Sequence, residues 1–171
     1  RVGVAADGTV TAIQLRAHSA MGPYLRRSGG LSGIDAYACP NVDRQIYPVH
    51  TNRVVSGNFR APSEPQGYFP IQSMMDDIAY AVGQDPVDFA LRNMRRPTEQ
   101  VRFTNYSMDE CVQRGAELFD WRGRWRPTPG SDTGPIKRGA GFSFMMFRSG
   151  LGPSSAILRV AERTSAPVPE G

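Results

Sequence analysis

The chain has 171 residues, of which 40% are hydrophobic and 21% charged, and its formal net charge is +4. That length suits one domain or a piece of a larger one, and it can enclose a core without metal or disulfide staples. Glycine (18) and proline (14) together approach a fifth of the residues, against a usual share of about 12%, which excludes a helical bundle or coiled coil and calls for short elements joined by turns.

The first residues, Arg1-Val2-Gly3-Val4, read directly as a strand, so no signal peptide is expected and a cytoplasmic location follows. Asp7-Gly8 is a strong turn dipeptide, and residues 9–17 alternate around Val10, Ile13 and Leu15, which predicts a β-hairpin. Residues 21–33 are glycine-rich and read as a loop. Residues 42–49 have strand character interrupted by Pro48.

The best helix spans residues 66–82, where Tyr68 (or Phe69), Ile71, Met75, Ile78, Ala79 and Val82 recur at spacings of three and four. Ser63 or Glu64 serves its N-terminal end and Gly83 its stop. Asp85-Pro86 starts a second helix as N-cap and first residue, with Pro97 at its end. Ser107 and Glu110 have capping-box spacing for a third helix, with Val112, Ala116, Leu118 and Phe119 as its buried stripe. Trp121 to Trp125 continues as a short helical turn in which the two rings pack. Residues 139–148 and 155–160 read as strands, and 161–171 as a disordered tail. The expected class is α+β, a small and mostly antiparallel sheet with about three helices on one side.

Several chemistries are missing from the sequence. Cys39, Cys111, His18 and His50 are isolated, so no zinc or iron–sulfur spacing occurs. There is no nucleophile elbow and no phosphate loop. Membrane spanning is excluded by the lack of an apolar run near the roughly 18 residues required. All basic residues but Lys137 are arginine, and they are scattered except at Arg122, Arg124 and Arg126. That distribution argues against a nucleic-acid partner.

One stretch does point to chemistry: Thr51-Asn52, then Asn58-Phe59-Arg60-Ala61-Pro62 and Pro65-Gln66-Gly67. An arginine at a turn before a helix, beside that helix's free N–H groups, can grip an anion. A plain surface arginine is the commoner case at such a position.

The ordered set Thr-Asn, Phe-Arg-Ala-Pro, Pro-Gln, Asp-Asp-Ile-Ala, Asp-Pro and Arg-Asn resembles the molybdenum-binding large subunit of the xanthine dehydrogenase and aldehyde oxidase family. Tyr37-Ala38-Cys39-Pro40-Asn41 and the glycine-led strand from Lys137 to Phe144 extend the likeness on both sides. The resemblance implies that residues 1–160 are part of a molybdenum-cofactor-binding domain. The parent would hydroxylate an aldehyde or N-heterocycle with water as the oxygen source.

By the same resemblance, Arg60, assisted by the backbone at Ala61, contacts a molybdenum–molybdopterin cofactor in its dinucleotide form. Phe144 lines the substrate wall, although a core aromatic fits that position equally well. No metal ligand and no catalytic residue fall in this stretch. The family's Gly-x-Gly-Glu segment is not found, so the chain is expected to be a fragment that neither holds the cofactor nor turns over alone.

The implied partners are the remainder of the large subunit and iron–sulfur and FAD subunits or domains, with room for a homodimer. Departures from the family pattern are Gln72 for a glutamate, Ala90 for an arginine, and Pro62 and Ser28 at positions that purine oxidisers use for substrate. The last two argue against a purine. The alternative reading is a non-catalytic structural or assembly module that keeps the fold.

Overall fold

The hairpin begins at β1 (Val2–Val4), turns at Asp7-Gly8 and returns as β2 (Val10–Gly22). Gly8 takes φ +88°, and its N–H donates to the Ala5 carbonyl at 2.9 Å. The Asp7 carboxylate accepts from the Thr9 N–H and from its hydroxyl, each at 2.9 Å, which locks the turn. The computed structural model describes residues 1–24, 33–57, 59–98, 105–128, 131 and 134–146. Residues 25–32, the predicted strand at 155–160 and the tail at 161–171 lie outside that set.

A 3-10 turn over Ile34–Ala36 leads into β3 (Asn41–His50). The sheet order is β1-β2-β3. The β1–β2 pair is antiparallel, as the hairpin requires, whereas the β2–β3 ladder is parallel from Ala12↔Asn41 to Gly22↔His50. The α+β class therefore holds with a mixed sheet. Pro48 sits opposite Ser19 inside β3 and does not break it. β3 is an edge strand, where a missing N–H on the outer side costs no ladder bond.

The helices are α1 (Glu64–Ala81), α2 (Pro86–Asn93), α3 (Met108–Phe119) and a short α4 (Trp121–Arg124). Asp85 caps α2 as its sequence predicts, its Oδ1 accepting the Val87 N–H at 2.7 Å. α2 stops at Asn93 rather than running on towards Pro97. Met94 turns extended to bridge Tyr37, and the Ala36 carbonyl accepts the Arg95 N–H at 2.8 Å.

The Ser107 capping box does not close, since Ser107 makes no side-chain cap bond. Asp109 is instead held by the Tyr106 hydroxyl at 2.6 Å and Arg96 at 2.7 Å. Val112 is buried, but Leu118 and Phe119 are exposed, which corrects the predicted stripe. Asp120 adopts φ +55° and swings the chain from α3 into α4. The turn places Trp121 in the core instead.

The core lies between the sheet and the helices, around Val10, Ile13, Tyr37, Met75, Phe89 and Trp121. Burying each such large apolar side chain stabilises the fold by about 1.5–3 kcal/mol. Asn93, from the Arg-Asn pair, is the buried polar residue that fastens α2 to the hairpin. Its Oδ1 accepts the Val10 N–H at 2.8 Å, and its Nδ2 donates to the carbonyls of Gly8 and Phe89, both at 2.9 Å. All of its amide hydrogen-bonding groups are thus engaged, which offsets the cost of burying them.

Candidate functional site

The predicted anion-binding arginine sits at the corner that leads into α1. Thr51 anchors the approach to this corner on the end of β2. Its N–H donates to the Gly22 carbonyl at 3.0 Å, and its hydroxyl accepts the Gly22 N–H at 3.2 Å. Gly22 has φ +76°, and a Cβ there would lie 2.7 Å from the Val54 carbonyl oxygen. Glycine is required because the loop after β3 passes directly over it.

The corner itself is left-handed at two residues that carry a Cβ, Ala61 with φ +57° and Ser63 with φ +65°. Each such residue costs about 1–2 kcal/mol relative to an ordinary helical conformation. Ser63 Oγ bonds the Pro62 carbonyl and gives no cap to the helix. Arg60 is exposed and has no hydrogen bond or ion pair among the described residues.

The supply of helix N–H donors is smaller than the sequence suggests. The Glu64 N–H closes a turn on the Ala61 carbonyl at 3.1 Å, Pro65 has none, and the Gly67 N–H already bonds Ser63. Only the Gln66 N–H remains without an acceptor among the described residues. An anion at this corner would therefore rest mainly on the guanidinium.

Glu64 opens α1, and its Oε2 is enclosed with no hydrogen-bond partner. One and two turns further along the same helix face come Tyr68 and Gln72. Tyr68 Oη donates to the Met146 carbonyl and accepts the Met146 N–H, at 2.8 and 2.9 Å. Gln72 donates to the Phe144 carbonyl at 2.8 Å and accepts from the Tyr37 hydroxyl at 3.0 Å. Burial pushes both phenols above their ordinary value, strongly for Tyr37 even against its hydrogen bond to Gln72, so both stay protonated donors.

Residues 139–146 form no regular strand but bond to α1 through Phe144 and Met146, and 147–148 lie outside the described residues. Phe144 is buried there, edge-on to Tyr37 at 5.4 Å and stacked on Phe142 at 6.1 Å. It also borders a cavity of about 540 Å³ with Cys111, Phe119 and Trp121. Phe144 thus combines a core position with a place at a cavity wall. Gln72 and Ala90, the two departures in the helices, line one small gap beside Tyr37 and Phe89. The sequence reading singled out Arg60 and Phe144. It missed Glu64, Tyr68 and the corner's left-handed geometry, because all three depend on which residues the fold brings together.

The Trp pair packs as expected. Trp121 Nε1 donates to both Asp85 oxygens at 2.9 Å, Trp125 Nε1 donates to Tyr80 at 2.7 Å, and the rings stack at 6.3 Å. Of the arginine patch, Arg122 faces Asp88 at 3.7 Å and Arg124 lies over the Phe119 ring, so it forms no continuous basic stripe. No group of three or more metal-ligating side chains occurs among the described residues, and none of their helices is long and apolar enough to cross a membrane.

The profile of the molybdopterin cofactor-binding domain family matches residues 1–94, so the strand pair, the corner and α2 all fall within it, and the chain belongs to that family. Among individual relatives, the xanthine dehydrogenase molybdenum-binding subunit of Escherichia coli O157:H7 is 30% identical over 168 residues, covering 90% of this chain and 22% of that protein. The aldehyde oxidoreductase molybdenum-binding subunit PaoC of Escherichia coli K12 is 35% identical over 74 residues, covering 42% of this chain and 10% of its own. In three dimensions, the aldehyde oxidoreductase of Desulfovibrio gigas superposes with a TM-score of 0.63 at 24% identity, over 70% of this chain and 14% of that one. The likeness in structure supports the fold. The chain spans about a fifth of the length of the relatives it matches in sequence.

Proposed function

We propose that this chain is part of the molybdenum-cofactor-binding portion of a larger oxidoreductase, which hydroxylates an aldehyde or N-heterocycle with water as the oxygen source. The observation that carries the reading is the corner at Arg60. A guanidinium without a partner among the described residues stands on a backbone strained at Ala61 and Ser63, inside the stretch that matches the cofactor-binding family. Backbone strain of this kind concentrates where a ligand is held.

The residues present fit such a group. Arg60 offers a planar fork for a phosphate or an oxo ligand, and the enclosed Glu64 oxygen lacks a donor that a ligand could supply. The cofactor, in the dinucleotide form we assign to the parent, supplies two-electron redox chemistry when bound. Arg60 positions it, with Ala61 keeping the corner tight. The segment bearing Phe144 borders the substrate space, fixed in place by Tyr68 and Gln72.

The partners in this reading are the remainder of the large subunit and iron–sulfur and FAD subunits or domains, in the cytoplasm. Residues 1–160 would belong to the one cofactor domain. The names of the relatives, a xanthine dehydrogenase subunit and aldehyde oxidoreductases, support the class. Pro62 in place of an aromatic supports an aldehyde or a non-purine heterocycle.

The test is to purify the protein as its gene encodes it, measure molybdenum and pterin, and assay dye reduction with benzaldehyde, nicotinate and xanthine. Stoichiometric molybdenum with turnover of an aldehyde or heterocycle supports the reading. Absence of both metal and pterin would favour a non-catalytic module on the same fold.

A further inference from the structure

We infer that Glu64 is a second cofactor-binding residue, whose carboxylate takes the amino and ring N–H edge of the pterin while Arg60 takes the anionic part. The inference rests on the proposed function above. It starts from the orphaned Glu64 Oε2, which is enclosed by protein yet receives no hydrogen bond. Buried acceptors without donors are rare, and an ionised one carries a larger penalty than a neutral one.

Among the described residues no side chain supplies the missing donor. Glu64, Tyr68 and Gln72 follow one another at four-residue intervals on one face of α1, with successive rungs about 6 Å apart along the axis. The Gln72 rung is met by the Phe144 carbonyl and the Tyr68 rung by both backbone groups of Met146. At the Glu64 rung, Oε2 receives no hydrogen bond from the described residues. It is also the rung nearest the corner, since Glu64 follows directly on the left-handed Ser63.

Arg60 lies four residues before Glu64, has the opposite charge and likewise has no hydrogen bond or ion pair among the described residues. The two do not form an ion pair with each other. A cation and a carboxylate at the two ends of one corner match a ligand with an anionic end and a donor edge. A pterin presents that edge as an amino group beside a ring N–H, which is the geometry a carboxylate accepts in two parallel bonds. A glutamine at position 64 presents one acceptor and one donor, so it would lose one bond and oppose another donor.

The experiment compares wild type and E64Q in the protein as its gene encodes it, purified with its cofactor and again after cofactor removal. The probe is pterin released and oxidised to its fluorescent form, together with thermal melting of both preparations. The expected result is pterin occupancy lower by about tenfold in E64Q, the loss of one charge-assisted contact, with the cofactor-free protein melting at the same temperature or higher. E64D, which keeps the charge, should recover part of the occupancy. Full occupancy in E64Q overturns the inference. So does a lower melting temperature of cofactor-free E64Q, since that would show protein donors holding the carboxylate. Wild type without any pterin overturns the proposed function itself, and the inference with it.

Discussion

Tyr68 and Met146, far apart in the chain, exchange two hydrogen bonds through one phenol oxygen, which donates to the carbonyl at 2.8 Å and accepts the N–H at 2.9 Å. The contact substitutes for a β-ladder where residues 139–146 have none. With the Gln72 bond to the Phe144 carbonyl it fixes the segment carrying Phe144 against α1.

Tyr68→Phe leaves both Met146 groups without their partner while preserving the ring. The expected loss is about 1–3 kcal/mol, the cost of unsatisfied buried groups. Urea unfolding of the purified protein reads it directly. A midpoint equal to that of wild type would show that the segment is held by other contacts.

Ala61→Gly should stabilise the protein by about 1 kcal/mol, because a residue at φ +57° loses its Cβ penalty. Glycine's greater freedom in the unfolded chain takes back part of the gain. Differential scanning calorimetry should show a higher melting temperature. A lower one would mean that the Ala61 methyl packs productively at the corner.

The pH dependence of stability has an identifiable contributor in Asp109. Burial pushes its carboxyl upward, but hydrogen bonds from Tyr106 and Arg96 outweigh that and hold it below the usual carboxylate range. A depressed acid stabilises the folded state above its unfolded value of about 3.9, and the contribution disappears as pH falls through the lower folded value. Asp109→Asn should therefore melt below wild type at pH 7, with the two curves converging towards pH 2. Parallel profiles across that range would remove Asp109 from the account.

Features set by local chemistry were legible in the sequence. The Asp7-Gly8 turn and the Asp85 cap each follow from neighbouring residues, and the structure places both where expected. The Trp121 and Trp125 packing followed from helical spacing. What was not legible depends on contacts across the chain. The parallel β2–β3 ladder joins strands whose pairing sense leaves no mark on either sequence. The Ser107 box had the correct spacing, but Arg96, in the stretch after α2, reached Asp109 instead. Leu118 and Phe119 carried the right period, yet the left-handed Asp120 turned Trp121 into the core and left them outside. At the site, Arg60 was visible through its motif, whereas Glu64 shows its significance only as a buried oxygen without a donor.

The role proposed for the Arg60 guanidinium is to hold the cofactor. The most direct test measures molybdenum and pterin in Arg60→Ala against wild type, in the protein as its gene encodes it. Because Arg60 is exposed and has no partner among the described residues, the substitution should change stability by no more than about 0.5 kcal/mol. Loss of a charge-assisted contact should lower cofactor occupancy by about tenfold or more. Undiminished molybdenum and pterin in a well-folded variant would contradict the account.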